Sequence, residues 1–411
     1  MEGRQMLKER GFSLVELIVV MAIFMVVIII SGNAFERILL HSGQLGKSAQ
    51  SEIEGVIGLE IFRRDIEVAG FGLPWSFQDA PTAYEEVSVD PDEIIKDFDP
   101  ATLNDIPPAL PRAVVDATIP GANKIIDGSS DTNSGTDYLV IKSAALSAPP
   151  DAGRFSYVNY SGNELSNRSY LVDRNGPDDV KDGDRVISIL STFSAERGDN
   201  RQLLMNGASF FYTVNGSEPV HSAFKPSGED ERVDVYSIDS SSDLRMPYNR
   251  ADYYVKKPAT GVPPRCNPGT GVLFKSRVAQ GAASGNTGYE HYALLDCVGD
   301  LQVVFELDTS GASHSGARSI RATLAGLSAQ EIREQLRTVT VYILTHEGKK
   351  DPSFSYPVND PSEVVVVSDP HVKSAGRIWK QADMLNAFGT DWRNYRWKVY
   401  AVSVTPRNLL Q

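Results

Sequence analysis

Several short runs hold residue types that could do chemistry, and each lacks a part that the chemistry requires. "GQLGKS" at Gly43 to Ser48 ends like a phosphate-cradling loop, in which backbone N–H groups wrap a nucleotide and a lysine reaches its outer phosphates. The first glycine of G-x-x-x-x-G-K-S would fall where His41 stands, and no strand-like run precedes it. "GASHSG" at Gly311 to Gly316 narrowly misses G-x-S-x-G. It lies in a Gly/Ser-rich connection, not at the sharp strand-to-helix turn that exposes a nucleophilic serine. His346-Glu347 lacks the second histidine of H-E-x-x-H, and the other histidines are scattered. The chain is therefore expected not to be an enzyme.

Two acidic runs could hold calcium, which takes several oxygen ligands. "DTNSGTD" sets Asp131, Asn133, Gly135 and Asp137 at alternating positions, and "DRNGPDDVKDGD" holds Asp173, Asn175, Asp178, Asp179, Asp182 and Asp184. Neither carries the glutamate that closes an EF-hand loop. They read as Asx turns and solvated charge, with Asp131, Asn133 and Asp137 kept as calcium candidates and no other cofactor expected. The two cysteines, Cys266 and Cys297, are spaced too widely for a CxxC zinc or redox motif. If the body of the protein is exported they are expected to pair, in a bridge worth roughly 3–4 kcal/mol by loop entropy. The other reading is two unpaired, partly buried thiols.

The most informative carboxylate is Glu16. Phe12 to Ile30 is nearly continuous apolar sequence, long enough for a membrane-spanning helix. An ordinary secretory signal has a shorter apolar core, followed by a small-x-small cleavage site. The leader "MEGRQMLKERG" sets Arg4, Lys8 and Arg10 against Glu2 and Glu9, an excess that favours a cytoplasmic N-terminus and an exported C-terminus. A carboxylate inside a membrane helix costs about 2–3 kcal/mol, less near the interface. No Lys, Arg or His lies near Glu16 on the apolar helix. Cleavage between Gly11 and Phe12 would create the missing cation, a free α-amine one helical turn from Glu16.

"KERGFSLVELIVVMAIF" resembles the class III leader of type IV prepilins and the related pseudopilins. The resemblance implies that Gly11 is the last leader residue, that Phe12 becomes an N-methylated first residue, and that Glu16 neutralises the N-terminal amine of a neighbouring subunit during filament assembly. "LEIFRRDIEVAGFG", "LLDCVGDLQVVFELD" and "YRWKVYAVSVTPRNL" are similar to pieces of the large PilW-type minor pilins. That implies a priming or tip role, with prepilin peptidase, other minor pilins, the major pilin, the inner-membrane assembly platform and the lipid bilayer as partners. The protein would lie in the bacterial inner membrane as a single-pass protein with a periplasmic head, and later in the pilus at the cell surface. The alternatives are a J-type pseudopilin of type II secretion, usually much shorter, and an adhesin head on a pilin stalk.

Elements must position these residues. The expected layout is a leader over 1–11, a transmembrane or filament-core helix over 12–31, an amphipathic helix over 32–72 and an exported head over 73–411, with two subdomains as one option. Ile38, Leu45, Ala49, Ile53, Ile57 and Leu59 sit close to a 3.6-residue period. Gly32, Gly43, Gly46, Gly55 and Gly58 weaken helicity locally. "AGFGLPW" ends the helix. Trp75 to Gly135 reads as loop-rich. Strand patterns follow in "TDYLVIKSA", "DRVISIL", "ASFFYTV", "RVDVYSI", "GVLFKSRVA", "YALLDCV", "LQVVFELD", "TVTVYILTHE", "EVVVVSD" and "RWKVYAVSV". One helix interrupts them at "SAQEIREQLR", opened by a Ser328/Glu331 capping box. The expected fold class is α+β, a long N-terminal helix packed on a mostly antiparallel β-rich head. The 411 residues suffice for a sizeable core, and the formal net charge of -13 argues against a nucleic-acid partner.

Overall fold

The computed structural model describes residues 14–15, 17–19, 21–28, 31 and most of 57–409. Segments 79–83, 88–97, 120–134, 147–151, 161–170, 173–177, 193–199, 217–219, 259, 282–287 and 310–317 lie outside the description. Contacts divide the chain into two compact units, Met1–Glu52 and Ile53–Gln411.

In the first unit, the described residues 14–15, 17–19, 21–28 and 31 are helical. Leu14, Leu17, Ile18, Met21, Phe24 and Met25 each leave more than half of their surface exposed. An apolar surface left open in this way is the pattern of a segment whose cover comes from outside its own fold. Among the described residues, no helix is long and apolar enough to cross a membrane.

The second unit opens with a helix over residues 57–67, here α1, and continues as an α+β head that is mostly antiparallel. One sheet joins β1 (Ser76–Phe77), β4 (Phe155–Asn159), β5 (Leu171–Val172), β6 (Arg185–Thr192), β7 (Asn200–Leu203) and β9 (Glu231–Asp239) in the order β1-β7-β6-β9-β4-β5, with β8 (Tyr212–Thr213) paired to β6. Its β1–β7 pair is parallel. The larger sheet joins β2 (Val114–Thr118), β3 (Asp137–Ser143), β10 (Asn249–Lys256), β11 (Gly271–Val278), β12 (Tyr289–Asp308), β14 (Leu336–Glu347) and β17 (Arg396–Val404). Its order is β17-β14-β12-β11-β10-β3-β2, with β13 (Arg318–Arg321) paired to β12. A small hairpin pairs β15 (Val365–Val367) with β16 (Arg377–Trp379). Two helices interrupt the strands, α2 (Ala329–Gln335) and α3 (Gln381–Phe388).

Alternation along the strands sets the layers. On β14, Val339, Val341 and Ile343 enter the main core while Tyr342 and Leu344 enter a second, aromatic one. On β6, Ile187 and Ile189 face the main core and Val186 a third cluster with Val233 and Val235. The main core therefore lies against both large sheets. The aromatic cluster, built on Trp379, Trp392, Trp397 and Phe388, covers the outer face of β12 and β14.

The structure corrects the sequence reading in several places: β2 runs through the stretch read as loop-rich, and β4, β7 and β16 are further strands. "YALLDCV" and "LQVVFELD" are one strand, β12, bent by bulges. β10 is a full strand where none is expected. "ASFFYTV" contributes only the two residues of β8, and α3 is a further helix.

Candidate functional site at the helix–head junction

Gly11, Phe12 and Glu16 lie outside the described residues, as do Asp131, Asn133, "GQLGKS" and "GASHSG". The junction between α1 and the head is described completely. Phe62, Asp65, Ile66 and Ala69 are fully buried along one side of α1 and its C-terminal turn. Three are apolar at helical spacing, and the fourth is a carboxylate among them. Phe62 stacks flat on Tyr253 of β10, with ring centroids 4.0 Å apart. Asp65 Oδ2 accepts a hydrogen bond from the Tyr253 hydroxyl at 2.6 Å and pairs with Lys275 Nζ of β11 at 2.5 Å. Burial, with the Asp65 charge adding to it, pushes the Tyr253 hydroxyl well above its ordinary value, so it stays a donor.

Two glycines let the backbones meet. A methyl group on Gly58 would lie 2.2 Å from the Leu294 carbonyl oxygen of β12, so α1 approaches that strand closer than any side chain permits. Gly70 has φ +82°, and a methyl there would lie 2.4 Å from Leu409 Cδ2. The Gly70 N–H donates to the Lys142 carbonyl at 3.0 Å, and the Arg407 N–H to the Glu67 carbonyl, also at 3.0 Å. The helix ends at residue 67, ahead of the "AGFGLPW" stop and short of the expected bound at 72. Its turn is gripped by β3 and by the segment after β17.

The β12 stretch under Gly58 is irregular. Leu273 faces Leu295 and Gly271 faces Val298, so β12 carries an extra residue there, and the β14 pairing slips again between Val298 and Asp300. Cys297 sits in this bulge at φ 59°, a left-handed conformation that residues with side chains seldom adopt. A disulfide joins it to Cys266, with Cα atoms 4.9 Å apart. The Arg265–Asp296 ion pair at 2.8 Å lies beside it.

A second polar group anchors the segment that follows α1. Lys142 of β3, fully buried, pairs with Glu86 at 2.8 Å and Asp105 at 2.5 Å. Arg250 of β10, equally buried, pairs with Glu86 at 2.8 Å and with Asp252 through two bonds of 2.8 and 2.9 Å. Arg112 completes the group on Asp105 at 2.6 Å. The hydroxyls of Tyr248 and Tyr138 donate to Glu86 and Asp252 at 2.5 and 2.6 Å. Burial alone would raise the Glu86 carboxyl. The Lys142 and Arg250 charges outweigh it and hold the group below the usual carboxylate range. Opposite charges in a fully hydrogen-bonded buried set fix geometry more than they add stability.

Of the calcium candidates, Asp137 is described. It is a buried residue of β3 whose carboxylate accepts from the Thr118 hydroxyl at 2.9 Å and the Val303 N–H at 2.8 Å. Burial pushes its carboxyl well above the ordinary value. Asp184 of the second acidic run pairs with Arg154 at 2.8 Å. Among the described residues, no group of His, Cys, Asp or Glu side chains is placed to hold a metal. His346 is buried in the aromatic cluster, with Nε2 accepting from the Asn267 N–H at 2.8 Å, and Glu347 pairs with Lys398. Sequence reading missed Asp65, Lys275, Glu86 and Arg250. The available signal was a charged residue standing on an otherwise apolar face, as Asp65 does between Phe62 and Ala69.

No curated protein and no solved structure matches the chain. Residues 6–32 match the family model described as the prokaryotic N-terminal methylation motif. The chain therefore carries, ahead of a head bolted to its own helix, the N-terminal segment of a type IV pilin-like precursor of the kind that prepilin peptidase processes.

Proposed function

We propose that the protein is a minor type IV pilin of the PilW kind, which primes pilus assembly or sits at the pilus tip. The methylation motif at residues 6–32 carries this reading. The size of the head favours a subunit used in few copies over one repeated along the filament. In this reading the leader is removed after Gly11, and residues 12–31 hold the protein in the inner membrane with its head in the periplasm. The subunit then docks beside other minor pilins and the major pilin through lateral helix packing. Glu16 pairs with the Phe12 amine of a neighbour, in surroundings where an opposite charge counts for far more than in water. The protein performs no reaction of its own, and the clasp around Asp65 holds α1 to the head.

N-terminal mass spectrometry of protein from its native host tests the reading. The expected mature chain begins at N-methyl-Phe12, and Gly11→Val is expected to retain the leader. A mature chain starting at Met1, or cut after Asn33, would sink the assignment.

A further inference from the structure

Trp75 follows the glycine turn that ends α1, and two guanidinium groups meet its indole. Arg333 of α2 places Cζ 4.1 Å from the ring centroid, and Arg201 of β7 places Cζ 5.7 Å from it. All three side chains are half-buried. Elsewhere in the head the buried Arg250 has Glu86 and Asp252, and the partly buried Arg112 and Arg154 have Asp105 and Asp184. Among the described residues, neither Arg201 nor Arg333 lies in an ion pair. Arg201 donates from Nη2 to the Tyr236 hydroxyl, and its Nε is buried without a partner. Burial pushes Tyr236 up to about 12 despite the pull of Arg201, so it is a neutral phenol and leaves the Arg201 charge uncancelled. Burial also holds Arg333 below the ordinary arginine value, and the Arg201 charge pushes the same way, against the pull of Glu334.

Two like charges are set against one ring with a buried donor left open, and among the described residues no carboxylate pairs with either. We propose that Arg201, Arg333 and Trp75 form an oxyanion site that takes a carboxylate or phosphate group. The forked N–H donors of a guanidinium match paired oxygens of either group. The site joins β7, α2 and the turn leaving α1, so an occupant would touch three elements that meet at the exit of the helix. It stands independently of the pilin reading.

The test uses the full chain in detergent micelles. Inorganic phosphate and glutarate are titrated separately at constant ionic strength, with chloride as the balancing anion. Binding is read by calorimetry and by tryptophan fluorescence. At least one of the two is expected to give a saturable response, and the one that does separates a phosphate source from a carboxylate source. Arg333→Gln and Arg201→Gln are each expected to weaken binding by about tenfold or more, the loss of a charge-assisted hydrogen-bonding partner. Trp75→Phe is expected to remove the fluorescence change and keep the heat. Arg333→Gln leaves no carboxylate stranded, and an unchanged thermal midpoint would verify its fold. No saturable response to either anion, or undiminished binding in the folded Arg333→Gln protein, would overturn the proposal.

Discussion

Asp65 shows what a single buried carboxylate does at a junction. It is the one charged side chain among the buried residues of α1, and two of its partners, Lys275 and Tyr253, belong to the sheet beneath. Removing one member of a buried pair leaves the other charge without compensation, at a cost of about 3–5 kcal/mol. Asp65→Ala is therefore expected to lower the unfolding midpoint sharply. Asp65→Leu combined with Lys275→Met should recover much of the loss, because both charges leave together. Thermal and urea melts of the single and double variants measure this, and a double variant no better than Asp65→Ala alone would refute the pairing. At Glu16 the expectation is different, since its partner is supplied by another subunit in the proposed function. Glu16→Gln is expected to yield processed, membrane-resident protein with fewer filaments when electron micrographs are counted in the native host. Normal piliation at normal protein level would mean that the carboxylate is no assembly contact.

At the scale of elements, α1 trades intrinsic helicity for closeness. Gly58 costs its helix about 1 kcal/mol relative to alanine, yet a methyl there would collide with the Leu294 carbonyl. Gly58→Ala is thus expected to raise the helicity of an isolated peptide and to loosen α1 in the protein. Hydrogen exchange over residues 57–67 should rise several-fold, and unchanged protection would show that the seat can yield. The bulge beneath is held by the disulfide, so the Cys266→Ser, Cys297→Ser double variant is expected to lose about 2–4 kcal/mol. Strands such as β6 and β14 were legible in the sequence because each is a run of mostly apolar and β-branched residues, Val186 to Leu190 and Val339 to Leu344, bounded by polar ones. β10 was hidden because Arg250 and Asp252 stand on it as charged residues, and only their neutralisation by each other and by Glu86 allows burial. β12 read as two strands because Cys297, Gly299 and Asp300 interrupt its pattern at the bulge, and pairing across a bulge is a tertiary fact. α3 escaped notice because "QADMLNAF" is short and becomes a helix by packing Met384 and Phe388 into the aromatic cluster. The methylation motif was fully legible, since it is a local string. The Asp65 clasp and the Glu86 group were not, because their members come from distant parts of the chain.

At the scale of the whole molecule, the aromatic cluster makes stability depend on acidity. His346 is buried and its pKa is pushed down to about 3, chiefly by burial and then by the Arg265 charge. Its folded-state value lies below the unfolded value near 6.5. The contribution is therefore intact above pH 6.5 and is lost as pH falls from there toward about 3, where the unfolded chain takes a proton that the folded chain refuses. The slope is roughly 1.4 kcal/mol per pH unit for one proton. His346→Gln, which can still accept from the Asn267 N–H, is expected to flatten that part of the urea-midpoint profile; an unchanged profile would assign the slope to other groups. The grip on α1 has a further consequence, in time. The helix is translated early, but every part of its seat comes later: Tyr253, Lys275, Leu294, and finally Arg407 and Leu409, which close over the turn at Gly70. A chain cut short before these residues has a helix with nothing to rest on. Only a chain translated through Leu409 carries the whole seat of α1.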